Sequence, residues 1–397
     1  MRRRDLAADE KSSEPDAAFP AHNARPRMNS AQRALELARE CGFDLAGIAP
    51  LRPPRDAAHF RDWLARGHHA GLDYLARDAE RILDPRLDAP RGRSLLVVGL
   101  AHARPAPLLP GGARVARYAL GRDYHNVLQK GLRKLRRRLQ GEGLIPRDDP
   151  ARAAVDAAPL LERSHAAEAG IGFASKAANL LHPSFGPWFF LGELVLDTEL
   201  EPTTTSPAGS CGTCTACLDA CPTGAILAPG RVDAGKCISY QTIENRSAIP
   251  HELRRAVGNW AFGCDICSEV CPWGAKAPDL GARFGLHAGV EGGVERWIGW
   301  RDDAQVAVEL SGSALQRAGR EGLARNGAIV LGNAPTAEGE AVLLHALSFD
   351  PSAIVREAAA WALAAGYART GDVERALRSE SDPQARDGML RTLAERR

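Results

Sequence analysis

Apolar residues recur along this chain with two different periods, and the change of period marks out its parts. From Ser30 the run SAQRALELARECG places Ala and Leu on one face at helical spacing, which predicts an amphipathic helix capped by Ser30 and stopped at Gly42. DLAGIAP (44–50), SLLVVGLA (94–101) and WFFLGELVLDTEL (188–200) are apolar runs of strand length. Between them DYHNVLQKGLRKLRRRLQ, from Asp123 to Gln140, reads as a basic helix. This alternation predicts an α+β domain built on a central sheet, spanning 29–203.

Toward the C-terminus strand-like runs give way to Ala/Leu-rich helices that repeat. LARNGAIVLGN around Arg325, IVREAAAWALAAG around Arg356 and QARDGMLRTLA around Arg386 lie 31 and 30 residues apart. The second and third follow the turn dipeptides Asp350-Pro351 and Asp382-Pro383. The pattern predicts HEAT-like helical pairs over 286–397, with a plain helical cap as the alternative. Residues 1–28 mix charge, Pro, Ala and Ser without periodicity and are expected to be a disordered extension.

Composition narrows the picture. The hydrophobic fraction of 45% supports sizeable cores, and a net charge of +2 from 51 basic and 49 acidic residues leaves no global field to attract nucleic acid. A nucleic-acid contact would need a local patch, and Lys130, Arg133, Lys134, Arg136, Arg137 and Arg138 form one on the basic helix. There is no run of transmembrane length and no apolar segment behind the N-terminal arginines, so no membrane association and a cytoplasmic location are expected.

The chemistry is concentrated in the cysteines. Eight of nine fall between Cys211 and Cys271, within the segment 204–285. CGTCTACLDACP carries Cys211, Cys214, Cys217 and Cys221; CDICSEVCP carries Cys264, Cys267 and Cys271; Cys237 stands between them. Two-residue spacings turn successive sulfurs around one cubane, while the Cys-Pro cysteine leaves toward the neighbouring one, so ligand sets cross. This predicts a ferredoxin-like module with two [4Fe–4S] clusters, one on Cys211, Cys214, Cys217 and Cys271, the other on Cys221, Cys237, Cys264 and Cys267. Disulfides and zinc are the alternatives. The cysteines are clustered rather than scattered, and the first run exceeds the two CxxC pairs of a zinc site. Cys41, outside the cluster, reads as an ordinary buried thiol.

VDAAPLLER (155–163), CISYQTIENRSAIP after Cys237, NWAFGCDICSEVCPWG and ARNGAIVLGN together resemble the epoxyqueuosine reductase family, over nearly all of 30–366. The resemblance implies a cobalamin- and iron–sulfur-dependent enzyme that reduces an epoxide on the wobble base of tRNA to an alkene. It also implies a nitroreductase-like corrin-binding domain ahead of the cluster module and helical repeats. The partners expected are the tRNA anticodon stem-loop and an external electron donor, the protein acting as a monomer. DYHNVL lacks the glycine of the DxHxxG cobalt-ligating signature, in keeping with a family whose corrin has no lower protein ligand.

By the same resemblance the corrin rests on Arg81, Ala116, Leu180, Phe190, Leu191, Leu194 and Ser239, with Asp156 beside it as proton donor. This chain has GFASKAAN where many relatives have GWxGKN, so the wall around Lys176 departs from the pattern. Burial against a corrin is expected to raise the Asp156 pKa and keep it protonated. Asp123 and His125 are alternative acids, Arg163 is expected to support Asp156, and the repeat arginines are further candidates for RNA contact. The competing functions are a ferredoxin-type electron carrier, another corrinoid reductase, and a tRNA-binding scaffold.

Overall fold

The structure, a computed structural model, describes residues 29–156, 158–205 and 209–396; the extension expected at 1–28 lies outside them. Helix α1 (Ser30–Glu40) is capped by Asn29, whose side chain accepts from the Ala31 N–H, so Ser30 is its first residue rather than its cap. Strands β1 (Leu45–Pro50) and β2 (Ser94–Ala101) follow, then helix α2 (Tyr124–Gly141), strand β3 (Arg152–Ala154), helix α3 (Glu162–Glu168) and strand β4 (Phe189–Leu196). The strands form one antiparallel sheet in the order β1-β2-β4-β3.

The two faces of this sheet bury different things. On one, α1 and α2 pack, and Leu128, Leu132, Leu135 and Leu139 of α2 are fully buried at i, i+4, i+7 and i+11. Each contributes roughly 1.5–3 kcal/mol, which is why so basic a helix is firmly seated. On the other face lies α3, pressed so closely on β1 that a Cβ at Gly47 would stand 2.0 Å from the Ala169 carbonyl oxygen. Only glycine permits that approach.

Beyond the sheet come helices α4 (Ile238–Ile243) and α5 (His251–Val257), the short strand β5 (Trp260–Phe262), and a stack of helices: α6 (Gly319–Asn333), α7 (Ala337–Phe349), α8 (Ala353–Gly366), α9 (Thr370–Ser379) and α10 (Pro383–Ala394). The three repeated segments of the sequence occupy α6, α8 and α10, whose apolar faces belong to one continuous core that also takes in Trp260 and Phe262. The helical array is therefore fused to the cysteine-bearing segment rather than tethered to it.

The motif arginines make that junction. Arg325, 2% exposed, donates to the carbonyls of Gln241, Asn245 and Ser247, while Asn326 donates to those of Thr242 and Ala261. Arg356 pairs with Glu380 at 2.7 Å, and Arg386 donates to the Leu377 and Glu380 carbonyls. Arg325 is thus committed inside the protein, whereas Arg356 is half-buried in its ion pair and Arg386 is exposed. A buried ion pair adds to the junction: Arg254 meets Glu357 at 2.7 Å, and His251 lies 3.1 Å from the same carboxylate. Removing Glu357 strands a buried guanidinium, so Glu357→Ala is expected to cost about 3–5 kcal/mol in chemical denaturation. An unchanged midpoint would show that the helical array is held by its apolar surface alone.

Candidate functional site

The eight clustered cysteines are free thiols gathered in two groups. Cys211, Cys214, Cys217 and Cys271 line one cavity with Asn179, Leu181 and Trp273, and Cys267 reaches the same cavity from the other run. Cys237 lies close enough to Cys221, Cys264 and Cys267 for their charges to interact. Burial pushes the Cys264 thiol far up, Cys267 up to about 12, and Cys237 up as well. Thiolates there are costly unless a cationic centre sits among them, which fits a metal cluster. Cys221 instead is lowered: burial is outweighed by hydrogen bonds from Thr223 and from the Ala225 N–H, the latter at 3.3 Å from its sulfur. Among the described residues no group of three or more His, Cys, Asp or Glu is placed to hold a single metal ion, and five of the thiols line one cavity instead. Lys176 closes the first group by donating to the carbonyls of Gly212 and Cys214 at 2.8 and 2.9 Å. The departure around Lys176 therefore lies against the cysteine loop.

The two groups differ in exposure. Cys214 is exposed, whereas all four cysteines of the second group are half-buried. Asp265, beside Cys264, accepts from the Arg117 N–H at 2.8 Å and so ties this group to the turn that carries Tyr118. Tyr118 in turn lies within electrostatic reach of Asp156 and Glu244.

Asp156 follows β3 in the left-handed region, φ +56°, with its side chain 63% exposed. Tyr124 donates to its Oδ2 at 2.9 Å and His125 Nε2 lies 3.4 Å from the same oxygen, while His125 Nδ1 is 2.7 Å from Asp123. Asp123 also caps α2 by accepting from the His125 N–H. The two carboxylates push His125 up to about 9, and the His125 contact holds Asp156 below the usual carboxylate range. Facing solvent, Asp156 is thus held low and His125 keeps its proton near neutrality, whereas the rise expected of Asp156 belongs to burial against a corrin. His125 has its raised value, so the attraction is complete below the ordinary histidine range and is lost as pH rises through about 9. Both imidazole nitrogens face carboxylates, leaving none free for a metal. That suits a corrin without a lower protein ligand, and the tyrosine rings beside Asp156 offer it apolar contact.

The other expected pocket residues do not all converge. Phe190 stacks between His102 and Tyr124, with ring centroids 4.2 and 4.3 Å away, and so backs the Asp156 site. Ser239 lies in the first turn of α4, two residues after Cys237, and Ala116 is buried two residues before Tyr118. Arg81 is bound to Asp88 and Asp78. Leu194 is fully buried on the α2 face of β4, whereas Leu191 and Leu180 belong to the core on the opposite face. Successive strand residues point to opposite sides, so no single flat ligand touches Leu194 and Leu191 together. The FFLGEL stretch is corrected to a core strand that presents Phe190 indirectly. Sequence reasoning missed Tyr118 and Tyr124, although DYH places Tyr124 between two residues weighed as acids.

An all-antiparallel sheet carrying a tyrosine-flanked carboxylate, joined to eight thiols in two groups, defines an iron–sulfur redox enzyme. Residues 210–274 match the family described as 4Fe-4S double cluster binding domain, and residues 83–157 match the one described as Epoxyqueuosine reductase QueG, DUF1730. The chain is 41% identical over 354 residues to the epoxyqueuosine reductase of Xanthomonas campestris pv. campestris, covering 86% of this chain and 98% of that one. It is 39% identical to that of Pseudomonas aeruginosa, covering 84% and 93%. A crystal structure of epoxyqueuosine reductase with an epoxyqueuosine-modified tRNA-Tyr stem loop superposes with a TM-score of 0.79 at 27% identity, covering 92% of this chain and 98% of that one. The Bacillus subtilis enzyme, with its aspartate catalytic loop swung out of the active site, gives 0.79 at 26% identity, covering 91% and 97%. The chain belongs to the epoxyqueuosine reductase family.

Proposed function

We propose that this protein reduces the epoxide of epoxyqueuosine at the tRNA wobble position to the alkene of queuosine, using two [4Fe–4S] clusters and cobalamin. The observation that carries the reading is the tie between the clustered thiols and the Asp156 site through Asp265 and the Tyr118 turn, in a chain of this family. The reaction consumes two electrons and two protons and releases the epoxide oxygen as water. When bound, the corrin supplies a strongly reducing, nucleophilic metal. Ser239, Tyr118 and Asp156 would hold it.

The chain's own residues set the rest. Cys211, Cys214, Cys217 and Cys271 hold the outer cluster, where an external donor delivers electrons near exposed Cys214. Cys221, Cys237, Cys264 and Cys267 hold the inner one. A proton held on His125 passes by way of Asp156 to the departing oxygen, and Tyr124 fixes the carboxylate's direction. Residues 29–203 act as a nitroreductase-like corrin domain, 204–285 as the ferredoxin-like module and 286–397 as HEAT-like repeats. Among the described residues no helix is long and apolar enough to cross a membrane, in line with a cytoplasmic monomer acting on tRNA. Anaerobically reconstituted protein is expected to convert an epoxyqueuosine-bearing stem-loop with cobalamin and not without it. Iron without any conversion would leave the plain electron-carrier reading standing.

The RNA contact falls to α2. Arg138 is engaged with Glu40 and Glu142, but Lys130, Lys134 and Arg137 are exposed on the face away from the leucines. Replacing Lys134 and Arg137 with Glu is expected to raise KM for the stem-loop and flatten its salt dependence by about 0.7–0.9 log units per lost phosphate contact. Iron content should stay the same. An unaltered salt slope would move the contact off this helix.

A further inference from the structure

Behind Asp156 stands a second pair of carboxyls that the reduction itself does not call on. Glu162, the first residue of α3, accepts a 2.6 Å hydrogen bond from the Asp156 backbone N–H. Its carboxyl meets that of Glu193, which is fully buried on β4 and has no N–H or O–H donor to either oxygen among the described residues. Facing carboxyls hydrogen-bond only by sharing a proton. Burial, with the charge of Asp156 second, pushes Glu162 up to about 7; Arg163 opposes this but is outweighed. Burial and the charge of Glu162 push Glu193 well above the carboxylate range.

The two ends of this arrangement differ in rigidity. Glu193 sits on a strand paired on both sides, opposite Val97 and Ala154, and α3 is clamped to β1 at Gly47. Asp156 occupies a left-handed conformation that a non-glycine residue keeps only when its surroundings hold it. A rigid anchor thus meets a strained segment at one hydrogen bond.

We propose that Glu162 and Glu193 form a carboxyl latch for Asp156: Glu193 shares a proton with Glu162, and Glu162 grips the Asp156 N–H so that the reacting carboxyl faces the cleft. Both are positioning residues, acting through Asp156, and the inference rests on the reading that Asp156 delivers the proton.

The test pairs steady-state kinetics on the epoxyqueuosine stem-loop with amide hydrogen exchange across residues 152–162 of the reconstituted protein without substrate. Glu162→Ala is expected to lower kcat about 10- to 100-fold while KM holds, because a misplaced acid costs rate and not binding. Exchange at Asp156 should quicken by about tenfold or more. Glu162→Gln keeps an acceptor for Asp156 and gains a donor for Glu193, so it is expected to stay within about threefold of the parent kcat. Glu193→Ala should follow Glu162→Ala, and Glu193→Gln should follow Glu162→Gln; iron content and melting temperature identify any variant that fails to fold. Unchanged kcat and exchange in both alanine variants would overturn the latch, as would a Gln variant as damaged as its Ala counterpart. A parent protein that leaves the epoxide intact would defeat the functional reading instead, and the exchange data would still decide the latch.

Discussion

Asp156→Asn is expected to lower turnover by about 10²–10⁴-fold while iron content and corrin binding stay at the parent level. The amide still accepts the Tyr124 hydroxyl hydrogen, so the loop keeps its contact, but it has no proton to give the departing oxygen. The companion measurement is the pH profile. Because two carboxylates hold the His125 proton up to about 9, the parent kcat should persist to that region and fall above it. His125→Asn should move the alkaline limb downward, as the reservoir behind Asp156 is gone. Single-turnover rates with chemically reduced enzyme isolate this step from electron delivery. An Asn variant with parent-like single-turnover rates would remove Asp156 from the chemistry.

Cys264→Ala is expected to abolish turnover altogether and to reduce reconstituted iron from about eight to about four atoms per chain. Cys264 is the first thiol of the second run, and its group stands between the outer cysteines and the Tyr118 turn, so its loss breaks the route at the step nearest the cleft. The outer group shares none of its proposed ligands with this one, and should keep its own absorbance and paramagnetic signal. Full iron in the Cys264→Ala protein would refute the crossed ligand sets.

Much of this was legible in the residues. The strand runs at 94–101 and 188–200 and the basic helix opening at Asp123 appear in the structure as β2, β4 and α2, because long apolar runs and leucines at helical spacing carry their own periodicity. The cysteine groups were readable because backbone spacing dictates which sulfurs turn inward. What misled was side-chain direction. FFLGEL looked like a ligand wall, yet alternation along β4 sends Leu194 into one core and Leu191 into the other. The repeat arginines looked like phosphate contacts, but Arg325 satisfies three backbone carbonyls around α4.

The order of residues along the chain was thus enough to establish the clustering of eight thiols, most elements and the family, since spacing and periodicity are local properties. Folding alone brought Tyr124 and His125 of α2 and Glu162 of α3 around Asp156, and put Glu193 of β4 against Glu162. Proton placement depends on distances between such segments and on the water excluded from among them, and neither quantity is written in a linear order of residues.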